Sequence, residues 1–278
     1  MKIQFVSPVL NEEILLPRMI QSLLAQSNEN WKLLIIDNSS TDSTLSIAKY
    51  WEERDLRIKV VTLNEKRKNA FESWKEALNI CFKITDCSYM QIIPGDDYLL
   101  NNDYVELALQ ALSINEFNGL VPKCQYRNRE VECDEIKYRS LFKDWSYVHL
   151  IFGIYRIADM QSAANLLFKI EGISTTFDWW LSYFLIAHKP LYSPNMIFYR
   201  ESKPSQINEV NPIVIRPILD LHILKPLKLI FALRHPVRNY IKATNTDFQH
   251  YILVRGLIGY RDRIRLFLAF CLKILKVY

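Results

Sequence analysis

Three short polar clusters in the first hundred residues have the composition of a binding site: Pro8–Glu12 in SPVLNEE, Asp37–Ser39 in IIDNSST, and Asp96–Asp97 in PGDDYLL. Two adjacent carboxylates repel each other, and a hard divalent cation is a common way to hold such a pair together. The same residues also suit plainer roles, since Asp37 before Asn-Ser-Ser is a good turn or helix-cap residue and Asp96-Asp97 a good polar turn. A fourth acid, Asp178 in TTFDWWL, is flanked by Phe177, Trp179 and Trp180. Apolar neighbours disfavour the charged carboxylate and so make it a better proton acceptor, although an Asp opening a helix is often a cap and Trp beside apolar residues is usually core. In the basic loop EKRKNAF, Lys68 and Asn69 read either as donors to an anionic ligand or as a solvated charge run.

What must position these groups is a set of alternating elements. Residues 2–9 read as a buried strand, and Asn11 as the cap of a helix over 12–26, where Leu15, Leu16, Met19, Ile20, Leu23 and Leu24 recur at helical spacing. A strand ending at Asp37, a helix through Leu45–Trp51, a strand over 57–63, a helix over 70–82 and a strand over 89–93 follow. Strands alternating with helices at this spacing build βαβ units and a parallel sheet. In such sheets ligands bind outside the carboxyl ends of the strands, so the three polar clusters are expected to share one crevice.

Composition bounds the rest. The chain has 278 residues, 50% hydrophobic and 23% charged, enough to bury a large core and too apolar for general disorder. Lys, Arg or Pro interrupts every apolar run before it is long enough to span a bilayer, and the N-terminus lacks the apolar stretch of a signal peptide, so a cytoplasmic protein is expected. Five cysteines without C-x-x-C spacing and five scattered histidines signal neither a disulfide framework nor a zinc site. The net charge of +5 is segregated: residues 216–278 carry twelve Lys or Arg against Asp220, Asp247 and Asp262, leaving a mildly acidic body. In that tail the basic residues interleave with Leu, Ile and Phe, a pattern that fits either the interface of an anionic membrane or a helical subdomain packed on the body. No nucleic-acid-binding module is matched, and no nucleic-acid partner is expected.

Taken together, SPVLNEE at 7–13, LLIIDNSSTDST at 33–44 and PGDDYLL at 94–100 resemble the three leading motifs of the family 2 glycosyltransferases. Further on, FGIYR at 152–156, TTFDWWL at 175–181 and YRESKPSQ at 199–206 are similar to the acceptor-side segment, the segment carrying the catalytic base, and the loop that closes over the donor diphosphate. Leu10 stands where an aromatic is usual, Phe177 where Glu is usual, and Pro94 where many members have the first Asp of D-x-D. The resemblance implies an α/β fold of the GT-A type, a Rossmann-like, mostly parallel sheet flanked by helices, with a C-terminal helical extension. Residues 1–210 would form the catalytic domain, 1–115 binding the nucleotide sugar and 116–210 the acceptor, and 211–278 a basic apolar helical tail.

The resemblance also implies roles. Pro8, Leu10 and Glu12 would flank the nucleoside, Asp37 and Asn38 the base, with Asn69 near the nucleotide. Asp96 would contact the ribose or the metal-bound diphosphate, and Asp97, with Asp96, would hold Mg2+ or Mn2+. Asp178 would be the general base of an inverting transfer, and Arg156 and Arg200 would meet acceptor or diphosphate. The donor would be a nucleotide diphosphate sugar, with UDP the family's commonest nucleotide. No Q-x-x-R-W segment of the processive synthases occurs, so one sugar per encounter is expected, on a glycan or lipid-linked acceptor of cell-surface polysaccharide synthesis. The three departures leave room for a protein that binds nucleotide sugars without turnover. A nucleotidyltransferase ranks behind it, because no Gly-rich loop follows the first strand.

Overall fold

The computed structural model describes residues 1–67, 69–114, 119–126, 129–131, 150–168, 177–185 and 191–201. Within them the order is β1 (Ile3–Val9), α1 (Leu16–Leu24), β2 (Trp31–Asp37), α2 (Thr44–Glu52), β3 (Ile58–Thr62), α3 (Ala70–Ile84), β4 (Tyr89–Ile92), β5 (Tyr98–Leu99) and α4 (Tyr104–Ser113). Then come β6 (Gly119–Tyr126), β7 (Arg129–Val131), β8 (Ile154–Arg156), α5 (Ile157–Leu167), α6 (Phe177–Leu185) and β9 (Leu191–Arg200). The basic tail and the boundary near residue 210, Lys68, Thr175 and Thr176, and residues 202–206 of the YRESKPSQ segment lie outside the described residues.

One sheet runs β3-β2-β1-β4-β8-β6-β9-β5, with β7 paired to β6. The four strands on one side, β3, β2, β1 and β4, are mutually parallel, as the βαβ alternation requires. The inner three are buried on both faces: every residue of β4 is buried and β2 keeps only Lys32 partly open, while β3, at the edge, exposes Lys59 and Thr62. The helices supply matching stripes. In α1, Leu16, Met19, Ile20 and Leu23 are buried at i, i+3, i+4 and i+7, and in α3, Ser73, Ala77, Leu78 and Cys81 face inward.

The other side is mixed. β8 runs antiparallel to both β4 and β6, β9 is parallel to β6, and β5 is antiparallel to β9. Apolar periodicity sets which face of a strand is buried and leaves its partner open, so this half was not foreshadowed by the alternation of elements.

The expected start of the first helix is corrected. Asn11 has a left-handed backbone, φ 56°, and its carboxamide oxygen accepts the Thr41 N–H at 2.9 Å, so it cannot cap a helix. Residues 13–15 form a turn in which the Leu15 and Leu16 N–H groups both donate to the Glu12 carbonyl, and α1 begins at Leu16 with Pro17 in its first turn. Among the described residues no helix is long and apolar enough to cross a membrane.

Candidate functional site

The loops after β1 and β2 are stitched into one rim. Asn11 N–H donates to Ser40 Oγ at 3.0 Å, Glu12 N–H to Thr44 Oγ1 at 2.7 Å and Glu13 N–H to Asp42 Oδ2 at 3.2 Å, while Ser43 N–H returns a bond to Glu13 Oε2 at 2.9 Å. Asp37, fully buried at the end of β2, accepts the Ser40 N–H at 3.2–3.3 Å, which closes a turn around Ser39 at φ 57°. One shared N–H leaves a carboxylate with unused lone pairs, so Asp37 retains acceptor capacity. Asn38 is also buried, and its side-chain oxygen accepts the Arg67 N–H at 2.7 Å, drawing the basic loop toward β2. Asn69 caps α3, its oxygen accepting the Glu72 N–H at 2.9 Å.

The second rim follows β4. The Asp97 N–H donates to the Pro94 carbonyl at 3.1 Å, so Pro94 opens a tight turn. Gly95 is there for space: a Cβ would stand 2.7 Å from Val9 Cγ1 and 3.4 Å from Glu12 Cγ. This close approach brings Asp96 and Asp97 beside the Pro8–Glu12 loop. Asp97 is fully buried, with one oxygen accepting Arg200 Nε at 3.1 Å and the other the Glu201 N–H at 3.0 Å. Burial pushes its carboxyl up to about 7, with Asp96 adding to the rise and Arg200 and the Glu201 N–H opposing it. Removal from water outweighs the neighbouring cation.

Among the described residues no three His, Cys, Asp or Glu side chains form a metal cage. Mg2+ and Mn2+ at phosphate-transfer sites need none, because one or two carboxylates plus substrate phosphates suffice. Asp96 and Asp97 are hard oxygen donors whose mutual repulsion a cation would relieve, so the residues fit such an ion.

Asp178 lies half-buried in the first turn of α6. Its neighbour Phe177 packs on Phe71 and Trp74 of α3, with ring centroids 5.7 and 5.2 Å apart. Trp74 meets Phe152, and the Arg200 guanidinium lies 4.2 Å over the Phe152 ring. An unbroken aromatic relay thus runs from the start of α6 to the cation on Asp97, and the Phe177 that replaces Glu is its first member.

Register decides where Arg156 sits. It pairs with Tyr89, at the start of β4, which puts it at the end of that strand opposite Asp96 and Asp97, where its side chain is exposed. An antiparallel neighbour carries its last residue to its partner's first, which motif resemblance does not reveal. Arg200, by contrast, is brought directly onto Asp97. Gly95 and Tyr98 lie within PGDDYLL and Tyr199 and Glu201 within YRESKPSQ, but none was given a role, and Arg18 lies outside every motif.

The model of the family described as Glycosyl transferase family 2 matches residues 5–173, more than half of the chain. The chain belongs to glycosyl transferase family 2. An uncharacterized glycosyltransferase of Haemophilus influenzae is 28% identical over 151 residues, 54% of this chain and 57% of that protein. A poly(ribitol-phosphate) beta-glucosyltransferase of Bacillus spizizenii is 24% identical over 156 residues, 51% of this chain and 24% of that protein. The chain thus spans little more than half of the first relative and about a quarter of the second. The crystal structure of S. aureus TarS 1-349 with UDP-GlcNAc superposes with a TM-score of 0.60 at 16% identity, covering 98% of this chain and 88% of that one. The architecture is that of the GT-A glycosyltransferases, a sheet flanked by helices, as the family 2 resemblance implied.

Proposed function

We propose that this family 2 glycosyltransferase moves one sugar from a nucleotide diphosphate donor, UDP-linked, to a hydroxyl of a glycan or lipid-linked acceptor in cell-surface polysaccharide synthesis, with inversion at the anomeric carbon. The observation that carries the reading is the joining of the two rims. The Asp96–Asp97 turn packs through Gly95 against Val9 and Glu12, at the carboxyl ends of adjacent parallel strands. That is where a doubly wound sheet receives nucleotides. The UDP-GlcNAc complex of the TarS neighbour and the polymer named for the Bacillus relative favour this donor and acceptor class.

In this reading Pro8, Leu10 and Glu12 form the wall for the nucleoside, Asp37 accepts an N–H of the base, and Asn38 and Asn69 hold the surrounding loops. Asp96 and Asp97 would hold Mg2+ or Mn2+, which supplies charge neutralisation to the departing diphosphate. Arg200, already within reach of Asp97, contributes a second positive charge on the phosphate side. Asp178 accepts the proton of the attacking hydroxyl, and the tail beyond residue 216 meets an anionic membrane face where a lipid-linked acceptor is presented.

The test is a thermal-shift panel of nucleotide sugars with and without Mn2+, followed by transfer assays with the stabilising donor. UDP sugars are expected to raise the melting temperature in the presence of Mn2+. Asp178→Asn is expected to lower transfer by about 10² to 10⁴-fold while sparing donor binding, the span typical of a lost general base. Stabilisation without transfer or donor hydrolysis would mark a binding protein instead. No response to any nucleotide sugar would end the donor assignment.

A further inference from the structure

The Asp96–Asp97 turn is held by a residue the motifs leave out. Arg18, on α1, extends one nitrogen between two acceptors from distant parts of the chain: Nη2 donates to the Asp96 carbonyl at 3.2 Å and to Glu201 Oε2 at 2.9 Å. Its guanidinium lies 4.3 Å over the Tyr98 ring and 5.9 Å from that of Tyr199. These two tyrosines are direct partners across β5 and β9, their ring centroids 4.6 Å apart. Glu201 in turn gives its backbone N–H to Asp97 Oδ1, and Arg200 holds Asp97 Oδ2. Both oxygens of Asp97 are therefore set by residues 200–201, and residue 201 is set by Arg18.

We infer that Arg18 is a positioning residue, which clasps Glu201 to the Asp96 carbonyl and so presents the two carboxylates to a divalent cation and a nucleoside diphosphate. The inference rests on the donor reading above and adds the group that prepares the turn. A partly exposed ion pair contributes little to stability, so folding alone does not call for this arrangement. Arg18 Nε is moreover buried without a hydrogen-bond partner among the described residues, a cost that an apolar side chain stacked on the tyrosines would avoid. Lys at this position would keep the charge but lose the planar group that bonds two acceptors while lying flat on a ring.

The experiment compares full-length wild type, Arg18→Lys, Arg18→Met, Glu201→Gln and the Arg18→Met/Glu201→Gln double variant. Three quantities are read: Mn2+ affinity by electron paramagnetic resonance, UDP affinity with Mn2+ by calorimetry, and kcat and KM for the stabilising donor. Arg18→Met is expected to weaken Mn2+ and UDP binding by roughly tenfold, as losses of groups that orient metal ligands do. At saturating donor kcat should stay within about threefold of wild type, because Arg18 acts on the bound ground state rather than on the reacting atoms. Arg18→Lys should fall between, and the double variant should bind no worse than Arg18→Met, because both break the Arg18–Glu201 ion pair. Should Arg18→Met not fold, Glu201→Gln carries the same expectation. A wild type that binds Mn2+ and UDP while folded Arg18→Met and Glu201→Gln bind equally well overturns the inference alone, as does a fully additive double variant. A wild type that binds neither probe overturns the donor reading and the inference with it.

Discussion

The two rims at the carboxyl ends of the parallel strands are built in opposite ways. The rim formed by the loops after β1 and β2 is made of contacts within one βαβ unit, in which backbone N–H groups donate to hydroxyl and carboxylate oxygens, such as Asn11 to Ser40, 29 residues apart, and Glu12 to Thr44, 32 apart. The rim after β4 is held by charged groups from far along the chain, Arg200 on Asp97 across 103 residues and Arg18 on Glu201 across 183. A rim of local backbone bonds forms as soon as its βαβ unit does. A rim of long-range ion pairs forms only when β9 docks, and its strength follows pH and salt. On the proposed donor reading, the difference assigns rigidity to the rim that would hold the nucleoside and responsiveness to the rim that would hold the diphosphate.

Four outcomes sharpen or break this contrast. The largest is expected at Gly95, where the rims touch. Gly95→Val drives its Cβ into Val9 and should cost about 3 kcal/mol in chemical denaturation, with partial rescue by Val9→Ala, because overpacking is relieved by removing the clashing methyls. Independent effects of the two substitutions would separate the rims.

Asp97 comes next. Its folded carboxyl is pushed up to about 7, above the ordinary carboxylate range, so between about pH 4 and pH 7 the native state binds more protons than the unfolded chain. The stability contributed by the neutral acid is thus fully present below pH 4 and is lost as pH rises through 7. Unfolding at pH 5 and pH 8 should show the metal-free protein weaker at pH 8 by on the order of 2 kcal/mol from this group. Asp97→Asn should flatten that slope, and Mn2+ should restore stability at pH 8 in wild type only. A slope that survives Asp97→Asn would place the titration elsewhere.

The short-range rim should respond less and without pH dependence. Thr44→Val leaves the Glu12 N–H without its acceptor and is expected to cost about 1–2 kcal/mol at every pH from 5 to 8, measured by urea titration. A pH-dependent cost would erase the distinction drawn here. The smallest effect is expected at the exposed pair of Lys32 and Asp86, on the edge of the body: Lys32→Met should leave the melting temperature unchanged within error at physiological salt.

How much of this was legible in the sequence follows the same division. The parallel half could be read nearly to the residue, with β2 ending at Asp37, a helix read through Leu45–Trp51 where α2 runs Thr44–Glu52, and α3 beginning at Ala70, because each is set by its own apolar period and α3 also by its Asn69 cap. Asn11 was misread because Asn serves equally as a cap and as a left-handed residue, and only the Thr41 N–H across the rim decides between them. Arg156 and Arg200 looked alike, each reached only through the resemblance of its segment, FGIYR and YRESKPSQ. Register sends one to the start of β4 and the other onto Asp97.

By itself, then, the sequence determined the kinds of groups present and the strands whose ends would bear them: acids after β2 and β4, a paired carboxylate that suits a hard cation, and an acid beside aromatics at the start of α6. These are local properties, written in composition and periodicity. Which of those groups meet, and in what charge state, was decided only by the tertiary structure. The meeting of Arg18, Asp96, Asp97, Arg200 and Glu201 depends on strand order and on a burial that no local window encodes, and that burial lifts Asp97 to about 7.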